Sequence, residues 1–384
     1  MTSPARILFT PAPSASHVLG VVPLARAFAA AGCDVLFASS GGLQVAVDAG
    51  FQAVNVAPRA DFRALFAAHS QWQREFEARQ SAGTATLDEG NRLAGSLFGQ
   101  QAAAVAPAMC HLADNWRPDL VVHTSLQGCG ALVGSRLGIP VVEQMDGFTG
   151  GPDLATAIKS HLPEVYEKYA PEGIPPDLEI IDVMPRCILP QRPATRQMRF
   201  IPYSGGMQLP GWVMIAPDRP RVVVTFGTVQ PHAPGFDDIV RQLLTQLAKI
   251  DASFLLALGG HEYDPQAEIP LNVSVFGWLP VDRLLTNSRA VIHHGGQASM
   301  LAAAAAAVPQ LIVPGAADQY LNARAMVELG AGIETNWVEL DAALIESLLM
   351  REDLVQKSEL ISQQILEMPS PAETAAALLR LIGG

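Results

Sequence analysis

The residues best suited to chemistry lie together in Ala290–Gly332, AVIHHGGQASMLAAAAAAVPQLIVPGAADQYLNARAMVELGAG. An apolar run ends in His293-His294, the pair Gly295-Gly296 follows, and an alanine-rich helical stretch begins near Gln297. Glycine lets a backbone take turns closed to other residues, or approach a ligand closely. A helix N-terminus presents N–H groups and partial positive charge. With the His294 imidazole, the turn Gly296-Gln297-Ala298 and the Ser299 hydroxyl, these features predict a diphosphate cradle that needs no metal. Val308-Pro309-Gln310 then leads into a second buried strand, and Asp318-Gln319 open the next helix in the same carboxyl-end layer. A carboxylate beside an amide can grip sugar hydroxyls through directional hydrogen bonds. Plainer readings exist for each: a glycine turn before a packed helix, and Asp318 as a helix cap.

A second candidate lies near the start. The apolar run Ile7–Thr10 feeds PAPSASHVLGVVPLARAF, which places His17 at the beginning of the first helix. A neutral imidazole there can take a proton from a hydroxyl, and a helix N-terminus helps to keep it neutral. A lone histidine is otherwise more often a surface or core residue.

These residues need elements to position them. Strand Ile7–Thr10, a helix from about Gly20 to Ala31 and an apolar run at Val35–Ala38 make a βαβ unit, hence a parallel sheet. Leu120–His123 and Ile139–Gln144 read as further buried strands. Residues 59–114 have a helical pattern interrupted by SAGTATLDEGN, read as a loop, and residues 146–180 read as loop with short helices. The second half restarts with strand Val222–Phe226 and helix 236–249. Strands 253–258, 273–276 and 290–293 follow, then helix 297–307, strand 310–313, helix 319–329 and strand 331–335. Such alternation predicts a second doubly wound α/β domain. The domains are expected at 1–203 and 221–370, joined by a linker at 204–220 rich in Pro and Gly. A C-terminal helix, 371–384, is expected to pack back on the N-terminal domain.

Composition narrows the class. The chain has 384 residues and a formal net charge of −12, with no dense Lys/Arg run of the kind a nucleic-acid binder shows. Apolar stretches such as 297–314 are broken by proline and too mixed to span a bilayer. The start, MTSPARILFTPAP, lacks the pattern of a signal peptide, so the cytoplasm is the expected location. Cys33, Cys110, Cys129 and Cys187 match no zinc or CxxC spacing and read as small apolar residues. A nicotinamide dehydrogenase would carry GxGxxG after the first strand, and TPAPSASHVLG does not.

The block HHGGQAS, Ala307-Val308-Pro309-Gln310, Asp318-Gln319, Asn322-Ala323 resembles the nucleotide-sugar signature of the UDP-glycosyltransferase superfamily. The likeness is strongest to bacterial antibiotic and natural-product glycosyltransferases. It implies the GT-B fold: two Rossmann-like, doubly wound parallel-sheet domains facing across a cleft. RFIPYSGGMQLPGWV resembles the family's linker, and VVVTFGTV its first C-domain strand, which would set Gly227 and Thr228 near the donor. VFGWLPVDRLL resembles the base-binding segment, where Trp278 would flank the pyrimidine and Leu279 offer backbone groups. PAPSASHVLGVVPL resembles the motif of the catalytic base, His17, with Gly20 in place of a proline.

Three departures stand out. Gly-Thr of the family is Ala298-Ser299 here, which keeps the hydroxyl. The position where UDP-sugar users often place a ribose-binding Glu is Ala302, which favours a thymidine diphosphate (dTDP) sugar over a UDP-sugar. The position of the Asp that pairs with the base is Thr124, so the dyad is missing or another carboxylate, such as Asp146, serves. The resemblance thus implies an inverting, metal-independent transfer of a (deoxy)sugar to a small hydrophobic acceptor such as a polyketide aglycone. No cofactor is expected beyond the nucleotide-sugar co-substrate. The domains are expected to close on binding; the partners are small molecules, with a homodimer open. The acceptor pocket is sought among Phe62, Phe66, Trp72, Phe76, Phe98 and the loop Met145–Phe148. Two alternatives stay open: a UDP-glucose transferase acting on a drug or sterol, and a non-catalytic homologue that binds the nucleotide sugar.

Overall fold

The computed structural model describes residues 4–60, 68–145, 147–148, 152–171, 179–189, 195–206, 208–228, 230–232, 235–263, 268–316 and 318–383. The chain divides into two compact units. The first comprises Met1–Met184, Gln191–Arg199 and Met368–Gly384; the second comprises Pro185–Pro190 and Phe200–Glu367. The crossing after Arg199 precedes the linker expected at 204–220. Trp212 explains why that linker travels with the second unit: its ring lies 5.9 Å from Phe276 and beneath the Arg221 guanidinium.

Unit 1 holds a seven-stranded sheet in the order β3-β2-β1-β4-β5-β6-β7. The strands are β1 Arg6–Thr10, β2 Asp34–Ser39, β3 Gln52–Asn55, β4 Leu120–Thr124, β5 Val141–Gln144, β6 Glu179–Asp182 and β7 Arg196–Gln197. Every pairing is parallel. Unit 2 repeats the plan with β8 Arg221–Thr225, β9 Ser253–Ala257, β10 Val273–Phe276, β11 Ala290–His293, β12 Gln310–Ile312 and β13 Gly332–Glu334, in the order β10-β9-β8-β11-β12-β13. Its ladders are parallel as well. Both orders reverse beside the unit's first strand, which is the doubly wound Rossmann arrangement. A ligand crevice is then expected outside the carboxyl ends of β1/β4 and of β8/β11.

The central strands are buried on both faces, which is why they read as unbroken apolar runs: Ile7, Leu8 and Phe9 of β1, and Val222, Val223 and Val224 of β8, are all inaccessible to solvent. Phe9 stacks on Phe37 in the first core, and Phe226 meets Phe236 edge-on in the second. β3, β6 and β7 have short or mixed patterns and were not among the strands expected from sequence.

Two helical expectations change. The first helix is Ala15–Ala30, five residues earlier at its start than the apolar pattern suggests, because it begins in the polar stretch after Ser14. The loop expected over SAGTATLDEGN is present but confined to residues 82–86. Helix Ser70–Ser81 ends on the first residue of that segment, and a thirty-residue helix, Leu87–Trp116, starts within it. Thr86 and Glu89 form a capping box there, and T-x-x-E was the visible signal. The last helix, Pro371–Ile382, carries a second capping box of Ser370 and Glu373 and packs against helix Ala15–Ala30. Among the described residues no helix is long and apolar enough to cross a membrane.

Candidate active site

In unit 2, the strand ends lie level. Thr225 pairs with His293 and with Ala257, and His293 pairs with Ile312. The loops that follow therefore share one edge, and Gly227 and His294 meet where the strand order reverses.

The two histidines of HHGG have different duties. His293 is fully buried; its Nε2 lies 2.9 Å from Gln310 Oε1, and its Nδ1 accepts the Gly295 N–H at 3.0 Å. A ring nitrogen that accepts carries no proton, so the proton sits on Nε2 and is donated to Gln310. Gln310 in turn donates to the Met300 carbonyl at 3.3 Å, which ties β11, β12 and helix Gln297–Ala305 together. Burial, reinforced by the neighbouring His294, lowers the His293 pKa to about 3. It is a neutral structural residue.

His294 faces the edge. Burial of its ring lowers its pKa to about 4, against a small opposing contribution from the Thr225 backbone. The residue as a whole keeps partial exposure, whereas the ring is wedged between glycine backbones. A Cβ on Gly227 would come within 2.5 Å of its Cε1, and one on Gly296 within 2.5 Å of its Nε2. Its Nδ1 is buried without a hydrogen-bond partner among the described residues. An orphaned buried nitrogen is costly unless a ligand or water completes it.

The glycines divide the work. Gly295 takes φ +87° and makes the turn, and its carbonyl accepts from the buried Asn322 amide at 2.7 Å. Gly296 has ordinary backbone angles and is the N-cap; its lack of a side chain admits the His294 ring. Gly227 does both, with φ +70° and contact with the same ring. The first i→i−4 bond of the helix runs from Met300 N to Gly296 O, so the N–H groups of Gln297, Ala298 and Ser299 precede it and need other acceptors. Ala298 is exposed, and Ser299 and Thr228 are half-buried. A polyanion placed here meets N–H groups, an imidazole and a hydroxyl.

Asp318 does not cap its helix, Gln319–Glu328, through its side chain, which weakens the plainer reading of that residue. The Gln319 carboxamide oxygen accepts from Gly315 N at 2.9 Å and Ala316 N at 3.1 Å. Its oxygen thus shapes the loop, and its NH2 group is the part suited to a ligand. Trp278 is 40% exposed, too open for a core aromatic, and its Nε1 donates to the Ser204 carbonyl at 3.1 Å. Leu279 has a buried side chain and its carbonyl accepts from Val281 N, so its N–H is the backbone group left to offer. Ala302 is buried, so the position compared with a ribose-binding Glu belongs to the packed side of its helix.

In unit 1, His17 is the third residue of helix Ala15–Ala30 and is half-buried. The Thr124 hydroxyl accepts the Ala12 N–H at 2.9 Å, so the residue in place of the expected Asp closes the gap between β1 and β4. Glu143 is a buried carboxylate in the neighbouring strand, bonded by Ser125 Oγ at 2.6 Å. It is paired with His123 and so points to the opposite face from Thr124 and Gln144, away from the helix that bears His17. Sequence reasoning missed Gln144, whose Nε2 donates to the Gly20 carbonyl of that helix at 2.9 Å. Nothing local marks it, since its partner is 124 residues away.

Asp146, Phe62 and Phe66 lie outside the described residues. Phe76 is buried and Trp72 partly exposed, beside an open depression of about 570 Å³ rimmed by the Arg79–Glu89 ion pair. Phe98 and Met145 are inward-facing. Of the cysteines, Cys110 and Cys129 are buried and Cys33 and Cys187 only partly so; desolvation pushes the Cys110 thiol up to about 11. Among the described residues no group of three or more His, Cys, Asp or Glu could hold a metal.

Two Rossmann-like units in series with a helix-end site in the second define a glycosyltransferase of the GT-B class. Residues 26–227 match the family model described as "Erythromycin biosynthesis protein CIII-like, N-terminal domain", and residues 241–381 match its C-terminal domain. The chain belongs to this family of antibiotic-biosynthesis glycosyltransferases. It is 33% identical to the elloramycin glycosyltransferase ElmGT of Streptomyces olivaceus, over 98% of both chains. It is 29% identical to the TDP-daunosamine transferase DnrS of Streptomyces peucetius, over 85% of this chain and 84% of that one. Among solved structures, the glycosyltransferase SnogD from Streptomyces nogalater superposes with a TM-score of 0.85 at 32% identity, covering 99% of this chain and 100% of that one. A glycosyltransferase of Streptomyces sp. SF2575 complexed with thymidine diphosphate superposes with a TM-score of 0.76 at 25% identity, covering 98% and 99%.

Proposed function

We propose that this enzyme transfers a deoxysugar from a dTDP-sugar to a hydroxyl of a polyketide-type aglycone, with inversion at the anomeric carbon. The observation that carries the reading is the edge between β8 and β11. There the glycine-wedged His294, with a ring nitrogen that has no partner among the described residues, stands beside the N–H groups of Gln297, Ala298 and Ser299 that precede the first helical bond. Such an edge suits the diphosphate of a nucleotide sugar. Gly227, Thr228, Trp278, Leu279, His294, Gly296, Gln297, Ala298, Ser299, Asp318 and Gln319 form the donor site, with Asp318 and Gln319 directed at sugar hydroxyls. Thymidine is favoured because a complexed relative holds its diphosphate and another relative is named for a TDP-sugar.

His17 is the general base. It takes the proton of the acceptor hydroxyl as that oxygen bonds to the anomeric carbon. The bond from that carbon to the diphosphate breaks in the same step, and the electron pair leaves with thymidine diphosphate. A single in-line displacement inverts the centre. Positive charge at the helix end and the His294 ring stabilise the departing anion.

The test joins calorimetry to turnover. Thymidine diphosphate is expected to bind wild type more tightly than UDP. Transfer is assayed from dTDP-activated sugars to a panel of hydroxylated anthraquinones and macrolactones. His17→Ala is expected to lower transfer by roughly 10³-fold, within the range for general acid–base catalysis, and to leave nucleotide affinity within about twofold. Equal turnover by the variant would remove His17 from the mechanism, and equal affinity for UDP would remove the donor preference.

A further inference from the structure

Among the described residues, the helix that bears His17 has no side-chain cap at its start and an interrupted bond ladder after it. Its N-cap, Ser14, makes no side-chain capping bond; the Ser14 hydroxyl lies 2.9 Å from Ser16 Oγ instead. Pro23 lies inside the helix and has no N–H for the Leu19 carbonyl. Gly20 is a weak helix former, and a Cβ there would meet nothing within 4 Å, so packing does not demand the glycine.

Among the described residues, a side chain from the sheet reaches the Gly20 carbonyl of this helix. Gln144, the last residue of β5, is 2% exposed and donates its amide N–H to the Gly20 carbonyl. Its Oε1 is buried with no partner among the described residues. Burying half a carboxamide unsatisfied is unfavourable, so the bond made by the other half has to be worth the burial. His17 and Gly20 are three residues apart and share a face of the helix.

We propose that Gln144 is a positioning residue for His17, clamping the first two turns of helix Ala15–Ala30 from the sheet. This rests on His17 being the base. The residue touches neither sugar nor nucleotide in this reading; it fixes the backbone on which the base stands. Misplacement of a reacting group by about 1 Å costs on the order of 100-fold in rate.

The experiment is hydrogen exchange by mass spectrometry on wild type, Gln144→Met and Gln144→Glu, with kinetics on the acceptor that wild type turns over best. Methionine keeps the volume and removes both polar atoms; glutamate keeps the shape and removes the donor. Either substitution is expected to speed exchange of the Val18–Leu24 amides at least tenfold and to lower kcat about 10- to 100-fold, as for small displacements of a catalytic group. The donor KM and thymidine diphosphate affinity should stay within twofold. Adding Gly20→Ala, which strengthens the helix, should restore protection and part of kcat. Wild-type exchange rates in both variants, or a loss shared by kcat and nucleotide affinity, would overturn the clamp. If one variant does not fold, the other decides. His17→Ala separates the premises: full activity there refutes the base, whereas activity lost there but kept in Gln144→Met refutes only the clamp.

Discussion

The carboxyl edges of the two sheets share a topology and differ in how far along the chain their loop-holding contacts reach. In unit 2 the last residue of a strand holds the loop that directly follows it. Thr225 Oγ1 accepts from Gly227 N at 3.3 Å, and His293 Nδ1 accepts from Gly295 N at 3.0 Å, each two residues on. In unit 1 Asn55 and Asp182 do the same for the loops after β3 and β6, accepting from Ala57 N and Met184 N at 2.9 Å, but the last residues of β2, β4 and β5 hold a segment that follows another strand. Ser39 donates to the Pro11 carbonyl, Thr124 accepts from Ala12, and Gln144 donates to Gly20, across 28, 112 and 124 residues. The segment 11–20 is thus gripped from β2, β4 and β5. A site that must present a fixed array of N–H groups can be self-scaffolded. In the proposed reading the His17 segment carries the base, and being held from several strands makes each grip a place where sequence change can move it.

The comparison breaks most sharply at Gly227. An alanine there must adopt φ near +70° and set its Cβ 2.5 Å from the His294 ring. The backbone strain alone costs about 1–2 kcal/mol. With the ring displaced, thymidine diphosphate affinity is expected to fall by roughly 100-fold or more, equivalent to about 2.7 kcal/mol. Calorimetry on folded protein checks it; unchanged affinity would mean that the ring does not meet the ligand.

Thr124→Val probes the long-range grip. It leaves the buried Ala12 N–H without its acceptor, a loss of about 1–3 kcal/mol. Denaturant unfolding should show that loss, and transfer should slow while nucleotide affinity holds. A variant that weakens nucleotide binding as much as transfer would erase the distinction between the two edges.

The smallest effect is on pH. His293 and His294 are neutral in the folded chain, with pKa values lowered to about 3 and 4 from an ordinary 6.5. Between those values and 6.5 the unfolded chain binds more protons than the folded one, so stability is fully present above 6.5 and falls as pH drops toward 4. From pH 7 to 6 the loss is about 0.7 kcal/mol for each such imidazole. Melting curves over pH 7 to 5 should show a shallower decline for His294→Asn than for wild type. Parallel curves would place the titration elsewhere.

Legibility follows the same division. The strands β8 to β13 were readable because each is a short apolar run followed by glycine or a helix pattern. HHGG was readable because its turn and helix start are consecutive in the chain. His294 was read as the histidine toward the ligand, but what keeps His293 inside was not legible, since it is Gln310, seventeen residues later, that occupies the first ring. In unit 1, β3 and β7 escaped because they are short edge strands of mixed polarity, and β6, between β5 and β7, because it is only four residues long and has an acid at each end. Gln144 escaped because a polar residue ending a strand looks like any other until the helix above it is in place.

By itself the sequence determined what adjacency can encode: two runs of alternating strand and helix, a glycine turn at Gly295-Gly296 before a helix, and the family. Tertiary structure alone decided how work is shared among those residues. It made His293 a strut and left His294 at the edge, turned Thr124 into an anchor for Ala12, and faced Glu143 away from His17. The physical reason is that burial and hydrogen-bond partnership belong to pairs of residues, and most of the deciding pairs are strand neighbours in space that lie far apart along the chain.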